Sequence, residues 1–319
     1  MSPKLSRLLT SLGPLLGLAF VIGLFCLSAE VRPFFLTGGN FKIILTQTVI
    51  VAVGALGMTL IIVGGGIDLS VGSVVAFTGV LGAKLLVAGW SPLATTALLV
   101  VIGGLVGLFN GAIIAGFRMM PFIVTLGMMG IVRGAAKWLG ENQTINAPPD
   151  SPVAHLMARI NPAGFWPLPP GVWIVLGLSV AMALLMRETV FGRQVFAIGA
   201  NETAARYSGV RVALVKASTY GIAGLLFGFA GLLQMSRLTQ GDPTVAIGLE
   251  LDIIAAVVIG GASLNGGVGS ITGSLIGALI MALLRNGTNQ LGWQTYSQEI
   301  IIGTVIVLAV GLDKWRQSR

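Results

Sequence analysis

Residues 43–73 read IILTQTVIVAVGALGMTLIIVGGGIDLSVGS. The uncharged run from Ile43 to Ile67 is long enough to cross a hydrocarbon core of about 30 Å as one helix. It then runs through Gly64, Gly65 and Gly66, an aspartate and a serine before apolar residues resume. A membrane-length run that ends in a flexible, acidic turn and restarts at once is a broken span, and that reading fixes the fold class.

The whole chain of 319 residues supports it: 55% are hydrophobic and 9% charged, with a mean hydropathy of +0.93. Such values lie outside the range of ordinary soluble domains. Further uncharged windows recur at Leu8–Ala29, Leu93–Phe117, Ala217–Ser236 and Ile253–Leu284. The expected fold is an all-α integral membrane protein, because a barrel would show segments of about ten residues with alternating polarity. Ten spans are expected near 8–29, 43–65, 71–89, 93–117, 121–139, 172–186, 217–236, 251–263, 271–291 and 299–312. They form one transmembrane domain, 1–319, since no loop is long enough for a soluble module. The apolar run behind Lys4 and Arg7 exceeds a signal-peptide core and reads as the first span. Cys26 within it is a packing residue.

Lysine and arginine placement sets the orientation. With the N-terminus inside, the inner segments hold Lys4, Arg7, Arg118, Arg187, Arg193, Arg206, Arg211, Lys216, Lys314, Arg316 and Arg319, and the outer ones only Arg32, Lys42, Lys137, Arg159 and Arg237. Both termini are therefore expected in the cytoplasm. Trp90, Trp138, Trp166, Trp173 and Trp293 then fall at the outer interface, which suits an indole. Topology accounts for the net charge of +8, and no nucleic-acid partner is needed. Lys84, Arg133 and Arg285, inside spans, are expected to snorkel or pair at the bundle edge.

Two connections stand out. An outer loop of about 141–171 carries Pro148, Pro149, Pro152, Pro162, Pro167, Pro169 and Pro170; its His155 has no second ligand at metal-binding spacing and is an exposed loop residue. An inner loop of about 187–216 holds an N-cap candidate, Asn201, followed by a short helix 202–208 that Gly209 stops. Glu202 and Arg206, four apart, pair on that helix.

The chain also repeats itself. VGGGIDLSVGSVVAFTGVLG (63–82) is similar to IGGASLNGGVGSITGSLIG (259–277), with GG at 64–65 and 260–261 and VGS at 71–73 and 268–270. Glycine-broken segments in corresponding positions of two halves point to a transport pathway, where unwound backbone lines a cavity.

GGIDLSVGS (65–73), GRQVFAIGANETAARYSGVRV (192–212) and ELDIIAAVVIGGASLNGGVGS (250–270) together resemble the membrane permease subunit of ribose-type carbohydrate ABC importers, over about residues 41–312. The resemblance implies a multi-pass protein of the prokaryotic inner membrane that forms a sugar path but is no enzyme. It implies a cytoplasmic ABC ATPase on another chain, an extracytoplasmic sugar-binding protein and a second permease copy, identical or a paralogue. ATP and magnesium are expected on the ATPase and no cofactor in this chain, which lacks a G-x-x-x-x-G-K-[ST] phosphate loop. The segment that couples to the ATPase maps onto the inner loop, at Gly199, Asn201, Glu202, Ala205, Arg206 and Gly209. Hinge and path residues are expected at Gly65, Gly66, Asp68, Ser70, Asn110, Thr125, Gly260, Gly261 and Asn265. Thr59, Thr272 and Asn289 are further polar candidates. Asp68, ahead of a helix beginning near Val71, is expected to accept backbone N–H bonds as its cap.

Three other classes compete with this reading. A branched-chain amino acid permease shares the architecture. A secondary transporter needs mid-membrane carboxylates, and a membrane enzyme needs converging His, Asp or Glu.

Overall fold

A computed structural model describes residues 3–157 and 168–317. Arg159, Pro162, Trp166 and Pro167 of the expected outer loop, and Arg319, lie outside the described residues. The helices are α1 (Pro3–Cys26), α2 (Arg32–Phe35), α3 (Gly38–Val63), α4 (Val71–Val87), α5 (Pro92–Phe117), α6 (Pro121–Leu139), α7 (Pro170–Glu188), α8 (Val190–Ala200), α9 (Glu202–Tyr207), α10 (Val212–Leu238), α11 (Leu249–Ile259), α12 (Ile271–Gln290) and α13 (Thr295–Gln317). A two-residue ribbon pairs β1 (Ile145–Asn146) antiparallel with β2 (Gln240–Gly241).

Local chemistry sets the boundaries. Pro92, Pro121 and Pro170 open α5, α6 and α7, where a missing N–H costs nothing. Side chains of Thr37, Ser91, Thr189 and Ser270 cap α3, α5, α8 and α12 by accepting N–H groups of the first turn at 3.0–3.3 Å.

α3 is the central helix, with 89% of its most apolar window buried, against 28% for α6 and 39% for α5. It packs on α10, α12, α11 and α7. The rim helices turn Leu105, Phe109, Phe122, Ile131 and Val180 outward, an apolar girdle that a bilayer covers. α5 and α10 meet through glycines. A side chain at Gly103, Gly107 or Gly111 would run into the backbone of Gly224, Gly228, Tyr220 or Ala217, so the two helices touch backbone to backbone. α3 and α12 are tied by a buried amide pair: Asn40 Nδ2 donates to Asn286 Oδ1 at 3.0 Å, and Asn286 Nδ2 to Asn40 Oδ1 at 2.9 Å.

Each expected span overlaps a helix, and among the described residues six helices (α3, α5, α6, α7, α10 and α12) are long and apolar enough to cross a membrane. α11, with 11 residues, is about 16 Å long and does not span alone. The inner connection is more helical than its polarity implied. Besides the expected short helix it contains α8, whose Gly192, Val195 and Ile198 recur at helical spacing and are buried.

Candidate functional site

The two broken segments share one construction. α3 ends at Gly64, and the N–H groups of Gly65 and Gly66 bond back to the carbonyls of Ile62 and Ile61, with Gly65 at φ +79°. α11 ends at Gly260; Gly261, at φ +92°, and Ala262 bond to Val258 and Val257 in the same pattern. This is the left-handed glycine termination that consumes orphan carbonyls at a helix end. The next helices start after Ser70 and Ser270. The Gly–Gly pairs and the serines are thus equivalent, whereas the two VGS triplets are not: Val71–Ser73 lies inside α4, and residues 268–270 precede α12.

Asp68 occupies the first break, only 1% exposed. Its Oδ1 accepts the Ser70 backbone N–H at 2.7 Å and the Ser70 hydroxyl at 2.6 Å, and its Oδ2 accepts from Asn110 Nδ2 at 3.4 Å. Asn110 Nδ2 also donates to Ser70 Oγ at 3.2 Å. Ser70 itself, and not Asp68, stands at the N-cap, and its side chain makes no capping bond because the hydroxyl is turned to Asp68. The expectation that the aspartate caps α4 is corrected accordingly: it braces the cap residue through one N–H and one O–H. Across the turn, Thr125 and Tyr220 each donate a hydroxyl to the Ile67 carbonyl at 3.3 Å. Gly66 leaves no room for a side chain against the Tyr220 hydroxyl. The turn is therefore held by α5, α6 and α10, and Asp68, Ser70, Asn110 and Thr125 are all fully buried. In this conformation they hold a closed turn and face no open water.

The second break is joined to the first. Gly267 N–H donates to the Val63 carbonyl at 2.8 Å. Gly199, near the end of α8, lies in the junction: a side chain there would strike the Val63 carbonyl and Gly267 N, and one at Gly266 would meet Gly199 and Gly65 backbone. Asn265 is exposed on the same loop.

Asn201 follows at once and caps α9, its Oδ1 accepting from Ala204 N–H at 2.9 Å. Glu202 bonds Arg206 at 2.8 Å and Lys216 at 2.6 Å. Those bonds, that to Lys216 first, hold the Glu202 carboxyl below its ordinary range. Gly209, at φ +84°, ends the segment in the left-handed conformation. Within α9, Ala205 is buried while Tyr207 is 88% exposed. Beside it a cleft of about 780 Å³ is lined by Gly65, Arg118, Met120, Arg206, Arg211 and Lys216.

The sequence reading missed Tyr207, Tyr220 and one ion pair. Asp252, buried at the start of α11, is bonded by Arg285 at 2.6 Å; the opposite charges stand 33 residues apart on neighbouring helices. Lys84 donates to the carbonyl of Leu139 at the end of α6 at 3.1 Å, and Arg133 to the loop carbonyls of Pro243 and Val245 at 2.9 and 2.7 Å. Thr59 bonds Ser274 at 2.7 Å between α3 and α12, and Thr272 is exposed. His155 is exposed, and among the described residues no three His, Cys, Asp or Glu side chains are grouped to hold a metal ion.

The family described as "branched-chain amino acid transport system / permease component" matches residues 40–310. The ribose import permease protein RbsC of Escherichia coli (strain K12) is 38% identical over 303 residues, 94% of each chain. RbsC of Bacillus subtilis (strain 168) is 39% identical over 308 residues, 96% of this chain and 94% of that one. The L-arabinose ABC transporter permease protein AraH of Azospirillum brasilense is 36% identical over 287 residues, 90% of this chain and 83% of that one. No solved structure matches the chain significantly. Carrying the permease motifs in both broken segments and the segment between them, and matched along nearly its whole length, the chain belongs to this ABC-importer permease family, in its ribose-type group.

Proposed function

We propose that the chain is the membrane-spanning subunit of an ATP-driven sugar importer in the prokaryotic inner membrane. The observation that carries this reading is likeness over nearly the whole length to permeases named for ribose, L-arabinose and D-allose. The family description names branched-chain amino acids, but these relatives favour sugar as cargo. About ten helices cross or enter the membrane, with both termini cytoplasmic, as the basic-residue bias requires. Two copies, identical or paralogous, enclose the path. A cytoplasmic ABC ATPase supplies ATP and magnesium chemistry, and an extracytoplasmic binding protein delivers the sugar.

The geometry supports a specific transmission route. α9, with Glu202 and Arg206 paired and Tyr207 exposed, is a rigid peg for the ATPase. Its movement acts on Gly199 at the end of α8, which touches both broken segments, themselves hydrogen-bonded to each other at Val63 and Gly267. A shift of α8 therefore reaches both hinges together, as a rigid-body switch requires. Affinity capture of the tagged chain from native membranes tests the assembly: an ATPase and a sugar-binding protein should co-purify, and a stably inserted chain that recovers neither contradicts the reading.

A further inference from the structure

Asp68, Ser70 and Asn110 are sealed in the first hinge, so a hydrated cargo needs another polar surface when the path is closed there. One exists at the opposite end of the bundle. A cavity of about 280 Å³ opens between α3, α10, α11, α12 and α13, lined among others by Gln47, Gln234, Asp252, Arg285, Asn289 and Gln298. A second cavity of about 530 Å³ shares Gln47 and Arg237 with it and reaches Thr46 and His155 beneath the outer connection. Together they form a vestibule and an inner chamber.

The lining has a defined chemistry. Arg285 and Asp252 are bonded at 2.6 Å and cancel one another's charge. Besides that pair and the guanidinium of Arg237, the polar lining is amide: Gln47, Gln234, Asn289 and Gln298, with Gln298 Nε2 donating to Asn289 Oδ1 at 2.6 Å. An amide carries two donors and an acceptor, the complement of hydroxyls that both donate and accept. Two lining residues also hold atoms without a partner, the acceptor Oε1 of Gln47 and the donor Nε of Arg285. The inner chamber, at about 280 Å³, is just under the ~300–1,000 Å³ found for drug-sized ligand sites, a size for one monosaccharide.

We propose that this chamber is a monosaccharide subsite of the permease itself, in which Gln47, Gln234, Asn289 and Gln298 hold a neutral sugar delivered from outside before the hinges move. The assignment rests on the importer reading. Cys26 is the chain's only cysteine, so a Cys26→Ser background carrying Gln234→Cys reports access to the chamber, and Gln47→Cys reports it from the facing helix. Trp90→Cys, exposed at the same end, is the control. In right-side-out vesicles of the full assembly, labelling by a membrane-impermeant maleimide is followed with ribose, L-arabinose, D-allose or leucine present. The sugar that the unsubstituted assembly accumulates should slow labelling of both chamber cysteines at least about fivefold and leave Trp90→Cys unchanged. Accumulation of that sugar with unprotected chamber cysteines, equal protection of the control, or protection by leucine alone would overturn the subsite while sparing the family assignment. An assembly that accumulates none of the three sugars overturns the importer reading, and the subsite with it.

Discussion

Asp68 shows how a buried charge in a membrane protein can serve the backbone. Its carboxylate takes three hydrogen bonds, two from Ser70 and one from Asn110, and so fixes the residue at which α4 begins. Asp68→Asn keeps an acceptor for Ser70 and loses the one that Asn110 Nδ2 uses at 3.4 Å. The side-chain amide thus substitutes for the acid at a cost of about 1 kcal/mol, a typical net hydrogen bond. Asp68→Leu leaves the donors of Ser70 and Asn110 buried and unmet, at ~1–3 kcal/mol each. Thermal unfolding of the purified variants should rank them wild type, Asn, then Leu well below, with uptake following the same order; an Asn variant as unstable as Leu would show that the charge itself is needed. The aspartate, the glycines and the serine of this turn were legible in sequence because their types are unusual in an apolar run. Their partners were not: Asn110 lies 42 residues from Asp68, and Tyr220 lies 153 from Ile67, and neither distance leaves a local pattern.

Helices α5 and α10 carry the tightest packing, and their glycines explain it. Gly107→Leu forces a side chain into the Tyr220 carbonyl and should separate the pair, lowering the melting temperature by 10 °C or more or preventing assembly, whereas Leu105→Ala on the outward face of α5 should shift it by no more than 2 °C, both about the scale expected for a core clash and a surface change. Equal melting of the two variants would contradict the close-contact account. α9 behaves differently, as a polar element held by ion pairs. Because the Glu202 carboxyl titrates below its ordinary range, its contribution is present above the usual carboxylate pKa and is lost as the pH falls through the lowered value. Hydrogen exchange over 201–216 should therefore stay constant from neutral pH down to about 5, after correction for intrinsic rates, and rise only in more acid solution. Glu202→Gln should show the raised exchange already at pH 7. The pair is partly exposed, so the expected effect is local, ~0.2–1 kcal/mol. At this scale the cap at Asn201 and the stop at Gly209 could be read directly, since capping residues act over one turn. α8 could not, because its burial depends on helices distant in the chain. The repeated segments were legible as glycine pairs, but matching the VGS triplets misplaced the register: the second turn is four residues longer between its glycines and its capping serine.

For the molecule as a whole, composition and run length were enough to establish a helical membrane protein, because a bilayer imposes internal satisfaction of every backbone group. The placement of α3 at the centre and α5, α6 and α7 at the rim was not legible, since apolarity does not follow burial: α5 is more apolar than α3 yet far less buried. Nor was the polar chamber around Asp252 and Arg285, which five helices assemble from residues 47 to 298. The orientation is open to direct test: a reporter active only in the cytoplasm should signal when fused at Gln194 or Gln317 and stay silent at Asp150, and a signal at Asp150 would reverse the topology. The central claim is that this chain gives a sugar its ATP-driven way through the membrane, and reconstitution tests it most directly. Proteoliposomes holding the permease, its ATPase and ATP, with the binding protein and radiolabelled ribose, L-arabinose or D-allose supplied on the opposite face, should accumulate one of the sugars against its gradient. Accumulation should cease with Gly199→Val, which drives a side chain into the junction of both broken segments. ATP hydrolysis by a correctly assembled complex without accumulation of any of these sugars, or accumulation that continues in the absence of ATP, would contradict the account.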